Sequence, residues 1–195
     1  MGYPVIGSES VNPTMLTMLN TRAELGNAVK TSGTTTPISL VGTADVSLPP
    51  PSNPQPLTGG VYNGYKRIEE LGLLSQRGSI SVVGSEFVIG ADGAGDYRTP
   101  HAWLGIAVSV DSTVIGFIFA TEKASDGLLY FSQRVTADKS VKKGKRKNIS
   151  GGGFIESLAA GDKLSVWAAS STSCDLTIFD ANLGLEMALP ESFKV

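Results

Sequence analysis

Apolar and polar residues alternate along the C-terminal part of the chain. Three runs within residues 153–190 show this period-2 pattern, separated by clusters of Gly, Asp, Asn and Ser: Phe154–Leu158, Lys163–Ala169 and Asp175–Phe179. Alternating runs with β-branched and aromatic residues are typical of antiparallel strands, whereas a helix needs apolar residues at three- and four-residue spacing. The pattern therefore predicts an all-β fold.

The same alternation begins upstream, at Ser79. It predicts further strands at Ser79–Ile89, Ala102–Val110, Thr113–Thr121 and Leu128–Thr136, and a closing strand at Leu185–Leu189. Thr113–Thr121 is apolar on both of its faces. In a β-sandwich this indicates that one face meets the core and the other meets a neighbouring subunit. We therefore expect an oligomer.

The prolines divide the chain into three predicted parts. Eight of the ten prolines lie between Pro4 and Pro56, and residues 1–60 carry only five charged side chains. Such a segment cannot bury a core alone. We expect an extended N-terminal attachment arm over residues 1–60, a connector over 61–78 and a β domain over 79–195. The proline-rich stretch 48–60 reads as a semi-rigid spacer, and residues 65–74 as one or two helical turns.

Within the arm, Asn12-Pro13 is a favourable helix start, with Asn as the N-cap and Pro at the first helical position. The apolar face of this short helix would consist of Met15, Leu16, Met18 and Leu19. The helix is expected to end at about Arg22 or Ala28. Such a face suits docking to a partner and capping of the sandwich edge equally well.

Two segments resemble the C1q/TNF-like jelly rolls. SLAAGDKLSVW, residues 157–167, is similar to the family's late-strand signature, an apolar stretch, a Gly-Asp turn and an apolar strand. GLLYFS, residues 127–132, is similar to its Gly-x-Tyr-x-Phe strand, although here the aromatics are adjacent. The resemblance covers residues 79–190. It implies an antiparallel jelly-roll sandwich of ten strands that assembles as a compact trimer, and such domains occur in secreted animal proteins and on bacteriophage particles.

The resemblance and the doubly apolar strand together lead us to expect a homotrimer. The residues expected at its interface are Val114, Ile115, Phe117, Phe119 and Tyr130.

Composition narrows the classes of function. The formal net charge of −2 argues against a general nucleic-acid binder. A lone Cys174 excludes an intrachain disulfide, and no apolar run approaches the ~18 residues that span a bilayer. The N-terminus has neither the basic start nor the apolar core of a secretory signal. We expect no specific nucleic-acid partner and no membrane insertion.

Catalytic chemistry has little support in the sequence. The chain has one histidine, His101, whose nucleophile would have to be Cys174 or a serine, and no Gly-x-Ser-x-Gly elbow occurs. A Cys/His metal site cannot be assembled from one residue of each type. The sequence therefore predicts a protein that is not an enzyme and needs no cofactor.

One glycine-rich loop is a candidate calcium site. Asp92 and Asp96 flank Gly93-Ala94-Gly95, and two carboxylates in such a loop can bind calcium. The spacing does not match an EF-hand, and a plain turn between strands explains the loop equally simply. The turn is the interpretation we favour here.

The strongest charge feature is the run from Lys139 to Lys147. It holds six of the chain's 16 Lys and Arg residues, and its candidate anion-binding residues are Lys142, Lys143, Lys145, Arg146 and Lys147. Such a run can contact phosphate, an acidic glycan or an acidic protein surface. A solvated loop is the simpler interpretation, and the one the sequence alone favours.

The function hypothesis follows from the resemblance and these exclusions. We expect a virion structural protein of a bacteriophage, a trimeric capsid decoration (cement) or head-fibre protein. Its arm would attach it to the major capsid protein at the capsid surface. The alternatives are a tail or baseplate receptor-binding protein that contacts a host surface glycan, and a secreted C1q-like recognition module. A glycan hydrolase would need a carboxylate pair that is not apparent.

Overall fold

The computed structural model of the chain describes residues 21–27, 37–40, 48–133, 136–151 and 155–188. These residues form 17 strands and no helix. The strands are β1 (Arg22–Asn27), β2 (Pro37–Leu40), β3 (Gln55–Pro56), β4 (Val61–Tyr62), β5 (Tyr65–Arg67), β6 (Leu71–Arg77), β7 (Ile80–Val83), β8 (Glu86–Ile89), β9 (Gly95–Arg98), β10 (Ala102–Val108), β11 (Ser112–Glu122), β12 (Leu128–Phe131), β13 (Thr136–Val141), β14 (Lys147–Gly151), β15 (Ile155–Leu158), β16 (Lys163–Ser170) and β17 (Cys174–Met187).

The strands form two antiparallel sheets. Sheet A has eight strands, in the order β14-β10-β17-β1-β6, with β2, β9 and β15 paired beside this path. Sheet B has nine strands, in the order β3-β12-β11-β16-β5-β4, with β7, β8 and β13 beside it. The predicted all-β antiparallel sandwich is confirmed.

The main core lies between the two sheets. Alternate residues of each strand point inward, as the period-2 pattern requires. Among the largest side chains that are fully buried there are Leu25, Phe87, Ile89, Tyr97, Leu104, Ile106, Ile115 and Phe117. Burial of each such aliphatic or aromatic side chain contributes about 1.5–3 kcal/mol to stability.

Strand β17 is the central element of sheet A. It pairs with β10 and β9 along one edge and with β2 and β1 along the other. The sequence predicted two strands here, Asp175–Phe179 and Leu185–Leu189, but β17 is continuous over 14 residues. A register shift opposite Gly105 leaves Phe179 as an extra residue between Ile178 and Asp180. This bulge interrupts the alternation, which is why the run read as two strands.

Part of the predicted arm belongs to the sandwich. Arg22–Asn27 forms β1, which lies between β17 and β6, and Ala23 and Leu25 point into the core. The predicted helix therefore cannot extend to Ala28, whereas its alternative end at about Arg22 stays a prediction. Its apolar face, Met15 to Leu19, lies outside the described residues.

Residues 65–74 do not form the predicted helical turns. They belong to β5 and β6, and the connection between these strands is held by a bond from the Ile68 N–H to the Val166 carbonyl (2.8 Å). Glu70 has a left-handed φ of 66°, so a right-handed helix cannot continue through this residue. Burial of Tyr65 and Leu71 decided between the two structures, because propensity is weak against tertiary packing.

Candidate interaction surfaces

A proline-rich strap, residues 48–62, covers the outer face of sheet B. Its Leu48 and Tyr62, with Tyr65 just beyond it, pack in a second apolar cluster. The sheet residues in this cluster are Val114, Ile118, Ala120, Leu129, Phe131, Trp167 and Ala169. The rings of Phe131 and Trp167 have centroids 5.3 Å apart in an edge-to-face arrangement, and Tyr62 lies 5.5 Å from Trp167. The strap thus acts as a third layer.

Polar contacts hold the strap in place. The Asn53 side chain bonds both backbone groups of Phe131, and β3 pairs with β12. The Tyr65 hydroxyl donates to the Leu48 carbonyl at 2.8 Å. The stretch expected to be a semi-rigid spacer is therefore packed on the sheet, because Leu48 and Tyr62 cover an apolar surface.

This arrangement corrects the expected trimer interface. Ile115, Phe117 and Phe119 lie in the main core of their own chain, and Val114 lies under the strap. A side chain already buried within one chain cannot contact a second copy, so the expectation is wrong for these four residues. Tyr130 is half-buried, and its hydroxyl donates to Asp126 Oδ2 at 2.8 Å.

The outer face of sheet A carries a row of charges across four adjacent strands. In register, Arg98 of β9 faces Glu186 of β17, which faces Arg22 of β1, which faces Arg77 of β6. Arg98 Nη2 lies 2.7 Å from Glu186 Oε1, and Arg22 pairs with Glu24. Cross-strand neighbours of opposite charge stabilise a sheet modestly, by about 0.2–1 kcal/mol.

Beside this row the same face is floored by glycines. A Cβ on Gly184 would lie 2.6 Å from the His101 ring, and a Cβ on Gly26 would lie 2.4 Å from Leu74 Cδ1. Any larger residue would therefore displace the two side chains that lie on this floor. Trp103, opposite Asn182 in register, is half-buried there, and Leu74 is 47% exposed. On this face the described residues form no apolar cluster like the one under the strap.

One end of the sandwich is organised around Asp162, a side chain that the sequence analysis missed. This 1%-exposed carboxylate accepts bonds from the Ala124 N–H (2.9 Å), the Ala159 N–H (3.0 Å) and Lys123 Nζ (3.0 Å). Burial alone would raise its pKa, but these bonds outweigh burial and hold the pKa below its ordinary value. Asp162 thereby joins two turns, which the Gly161-Asp162 dipeptide could have signalled.

Glu156 lies beside the same lysine and is shifted in the opposite direction. Burial raises its pKa, against a bond from Thr121 Oγ1 (2.9 Å) and the charge of Lys123. Lys123, Asp162 and Glu156 thus hold the turn at 123–127 against the turn at 159–162. We assign this cluster a structural role.

The calcium candidates lie near this end and are both exposed. Asp96 accepts a hydrogen bond from Ser157, and the Tyr97 hydroxyl beside it donates to the Gly93 carbonyl at 2.6 Å. Within the described ranges no group of three or more His, Cys, Asp or Glu side chains is placed to hold a metal ion. The loop residues Asp92 and Asp96 therefore gain no further protein ligand of these types.

The basic run forms a turn between β13 and β14 at the opposite end. Lys142, Lys143 and Lys145 are exposed, Arg146 pairs with Asp180, and Lys147 begins β14 half-buried. The structure thus separates the arginine, which is bound to the sheet, from the three lysines.

His101 and Cys174 have separate surroundings. His101 Nε2 lies 2.7 Å from Asn182 Oδ1 on the outer face of sheet A. Cys174 belongs to the main core, and burial raises the pKa of its thiol. A buried thiol with a raised pKa is a poor nucleophile.

Comparison with solved structures identifies the architecture. Eiger TNF of S. frugiperda superposes with a TM-score of 0.51 at 12% identity, covering 90% of this chain and 99% of that chain. The fold is a C1q/TNF-like jelly roll. Murine APRIL (TM-score 0.48, 14% identity, 84% and 97% covered) and the globular domain of zebrafish complement 1qA protein (0.47, 11%, 88% and 99%) are also similar.

At such identities the likeness concerns the fold alone. No protein-family model and no curated protein sequence matches this chain. Among the described residues there is no helix that is long and apolar enough to cross a membrane.

Proposed function

We propose that this chain is a homotrimeric binding module with a structural rather than a catalytic role. The observation that carries the proposal is that only one of the two outer faces of a C1q/TNF-like sandwich is covered by another segment of the described chain. The strap covers the face of sheet B, while the face of sheet A keeps Trp103 half-buried and Leu74 half-exposed. Compact trimers are what the C1q/TNF resemblance implies, and they need one such surface.

The outer face of sheet A is suited to a second copy of the chain. Its glycines, Gly26 on β1, Gly105 on β10 and Gly184 on β17, let the side chains of Leu74, Arg146 and His101 lie close over the sheet, where a second copy would contact them. Its row of Arg and Glu offers both signs of charge, so a neighbouring copy meets complementary groups. Trp103 on β10 and Leu74 on β6 are apolar and partly exposed on this face, and large apolar side chains of this kind can anchor an interface.

Matched variants test this surface. Leu74→Glu places a charge on the outer face of sheet A, whereas Leu57→Glu places the same charge on the strap, and the two leucines are 47% and 48% exposed. Sedimentation equilibrium should show a smaller assembly for Leu74→Glu and an unchanged one for Leu57→Glu. Equal behaviour of the two variants would refute the choice of surface.

A non-catalytic role is supported by the surroundings of the two candidate reactive groups. His101 bonds Asn182, and Cys174 is sealed in the core with a raised pKa. His101 lies on the outer face of sheet A and Cys174 in the core, so these two residues do not form a nucleophile and base pair.

We further propose that the trimer belongs to a bacteriophage virion, as a capsid decoration or head-fibre protein. The support is the sequence before β1: residues 1–20 have an apolar set at Met15, Leu16, Met18 and Leu19 and almost no charge. Such a segment is suited to the major capsid protein as partner. Three copies per trimer would act together and raise one another's effective concentration.

Deletion of residues 1–20 tests attachment without removing β1. The truncated protein is mixed with capsids that lack this protein and is recovered by sedimentation. We expect it to keep its oligomeric state and remain unbound. Binding equal to that of the full chain would place attachment on the sandwich instead.

A further inference from the structure

The turn between β13 and β14 is held by its backbone. The Lys143 N–H donates to Asp111 Oδ1 at 2.7 Å, and the Gly144 N–H donates to the Val108 carbonyl at 3.0 Å. The Lys145 N–H closes the turn on the Lys142 carbonyl at 3.0 Å. Gly144 adopts a left-handed φ of 65°, which glycine tolerates without strain. The basic residues are thus presented from a fixed turn rather than from a loose loop.

Three cations of this turn have no ion-pair partner among the residues that the structure describes. The side chains of Lys142, Lys143 and Lys145 are exposed and form no ion pair with any described residue. Arg146 differs, because its guanidinium pairs with Asp180 and lies 5.6 Å over the Phe179 ring. Arg146 therefore anchors the turn to sheet A, and three positive charges remain for a ligand.

Acidic side chains are concentrated at the other end of the sandwich. The pairing of β11 with β13 and β16 places the lysine turn beside Ser112, and Glu122 at the opposite end with the 159–162 turn. The exposed carboxylates of Asp92, Asp96 and Asp126 belong to that opposite end. A chain with a net charge of −2 therefore still attracts an anion to the lysine end. Asp111 and Asp175 near the turn reduce this attraction without cancelling it.

The chemistry of the turn selects the class of anion. Lysine ammonium groups act as mobile point charges, which suits singly charged groups spaced along a flexible polymer. Binding of single-stranded nucleic acid normally adds exposed aromatic rings for base stacking. Phe179, the ring that Arg146 of this turn contacts, lies under the guanidinium. We propose that this turn is a binding site for sulfated polysaccharide, with Lys142, Lys143 and Lys145 as its contacts.

The experiment uses the full chain and immobilised dextran sulfate, with uncharged dextran as the blank. Lys142→Gln/Lys145→Gln is compared with Lys66→Gln, which removes an exposed cation on β5 of sheet B, outside the proposed trimer surface, that has no ion pair with described residues. A third variant, Lys142→Arg/Lys145→Arg, keeps the charge. Melting temperatures check that all three variants fold as the parent does.

We expect the first variant to bind at least about tenfold more weakly, while the other two bind like the parent. The slope of log Kd against log salt should fall by about one to two in the first variant, because fewer counterions are released. Equal weakening per removed charge by Lys142→Gln/Lys145→Gln and by Lys66→Gln would overturn the proposal, since it would show a diffuse charge effect. Tighter binding of duplex DNA than of dextran sulfate at equal charge concentration would also overturn it. Neither result bears on the trimer.

Discussion

Asn53 binds the backbone of Phe131 as a neighbouring strand residue would. Its Nδ2 donates to the Phe131 carbonyl at 2.7 Å, and its Oδ1 accepts from the Phe131 N–H at 2.6 Å. One side-chain amide thus satisfies both backbone groups of a residue in the strand β12, next to β3. This contact fixes the strap over the ring cluster of Tyr62, Phe131 and Trp167.

Replacement of Asn53 by alanine should therefore loosen the strap. The Phe131 N–H and carbonyl would lose their partners in a part-buried site, which costs about 1–3 kcal/mol. Urea unfolding followed by tryptophan fluorescence measures the change, because Trp167 lies under the strap. Ser52→Ala, which removes only an exposed hydrogen bond to Gln55, is the control. Equal unfolding midpoints for both variants would contradict this role of Asn53.

Asp162→Asn should destabilise the fold at neutral pH by about 1–3 kcal/mol. The amide cannot accept all three bonds that the carboxylate accepts, and Lys123 loses its nearest charge partner. Because the pKa of Asp162 is lowered in the folded state, its stabilising effect is present above the ordinary value of 3.8 and is lost as the pH falls below it. Urea unfolding between pH 2.5 and pH 6 should show the gap between parent and variant closing at the acid end. A gap that stays constant would contradict the ion-pair account.

Glu156→Gln, in contrast to Asp162→Asn, should not lower the stability of the fold at neutral pH. Burial raises the pKa of Glu156, so its ionisation at neutral pH opposes folding, and the penalty disappears as the pH falls through the raised pKa toward 4.5. Glutamine keeps an oxygen for the Thr121 hydroxyl. We expect the variant to be as stable as the parent or more stable at pH 7, with the difference vanishing near pH 4.5. A loss at pH 7 as large as that of Asp162→Asn would refute this assignment.

Tyr97 makes an alkaline prediction. Burial raises its pKa to about 12, and its hydroxyl donates to the Gly93 carbonyl. Above pH 10 the unfolded chain releases this proton and the folded chain keeps it, so stability falls by about 1.4 kcal/mol per pH unit from this residue. Tyr97→Phe should be less stable at pH 8 and should show a shallower decline between pH 10 and pH 11.5. An unchanged decline would mean that Tyr97 is not the group responsible.

The strands of this fold could be predicted from local pattern, whereas their partners could not. Thr113–Thr121 read correctly as a strand with two apolar faces, and the structure extends it only to Ser112–Glu122. The wrong step was to assign the second face to another subunit. Its cover is Leu48 and Tyr62, more than fifty residues earlier in sequence, and no periodicity records such a long-range contact.

Sites were predicted less well than strands for a related reason. The basic run was visible as composition, but only the structure separates Arg146, bound to Asp180, from Lys142, Lys143 and Lys145, which form no ion pair with described residues. Asp162 appeared in the sequence as a turn residue, and its three donors come from two turns 38 residues apart. The sequence assigned Arg22 to a docking arm, because the residues that face it, Glu186 and Arg77, lie on other strands and cannot be identified from the sequence around Arg22.

The mass of the full chain in solution tests the central claim most directly. Light scattering coupled to size exclusion, at micromolar concentration and physiological salt, should give three chains of 20.3 kDa each, about 61 kDa. Dilution to nanomolar concentration should leave this mass unchanged if the outer face of sheet A forms an extensive interface. A stable folded monomer of about 20 kDa at micromolar concentration would contradict the account.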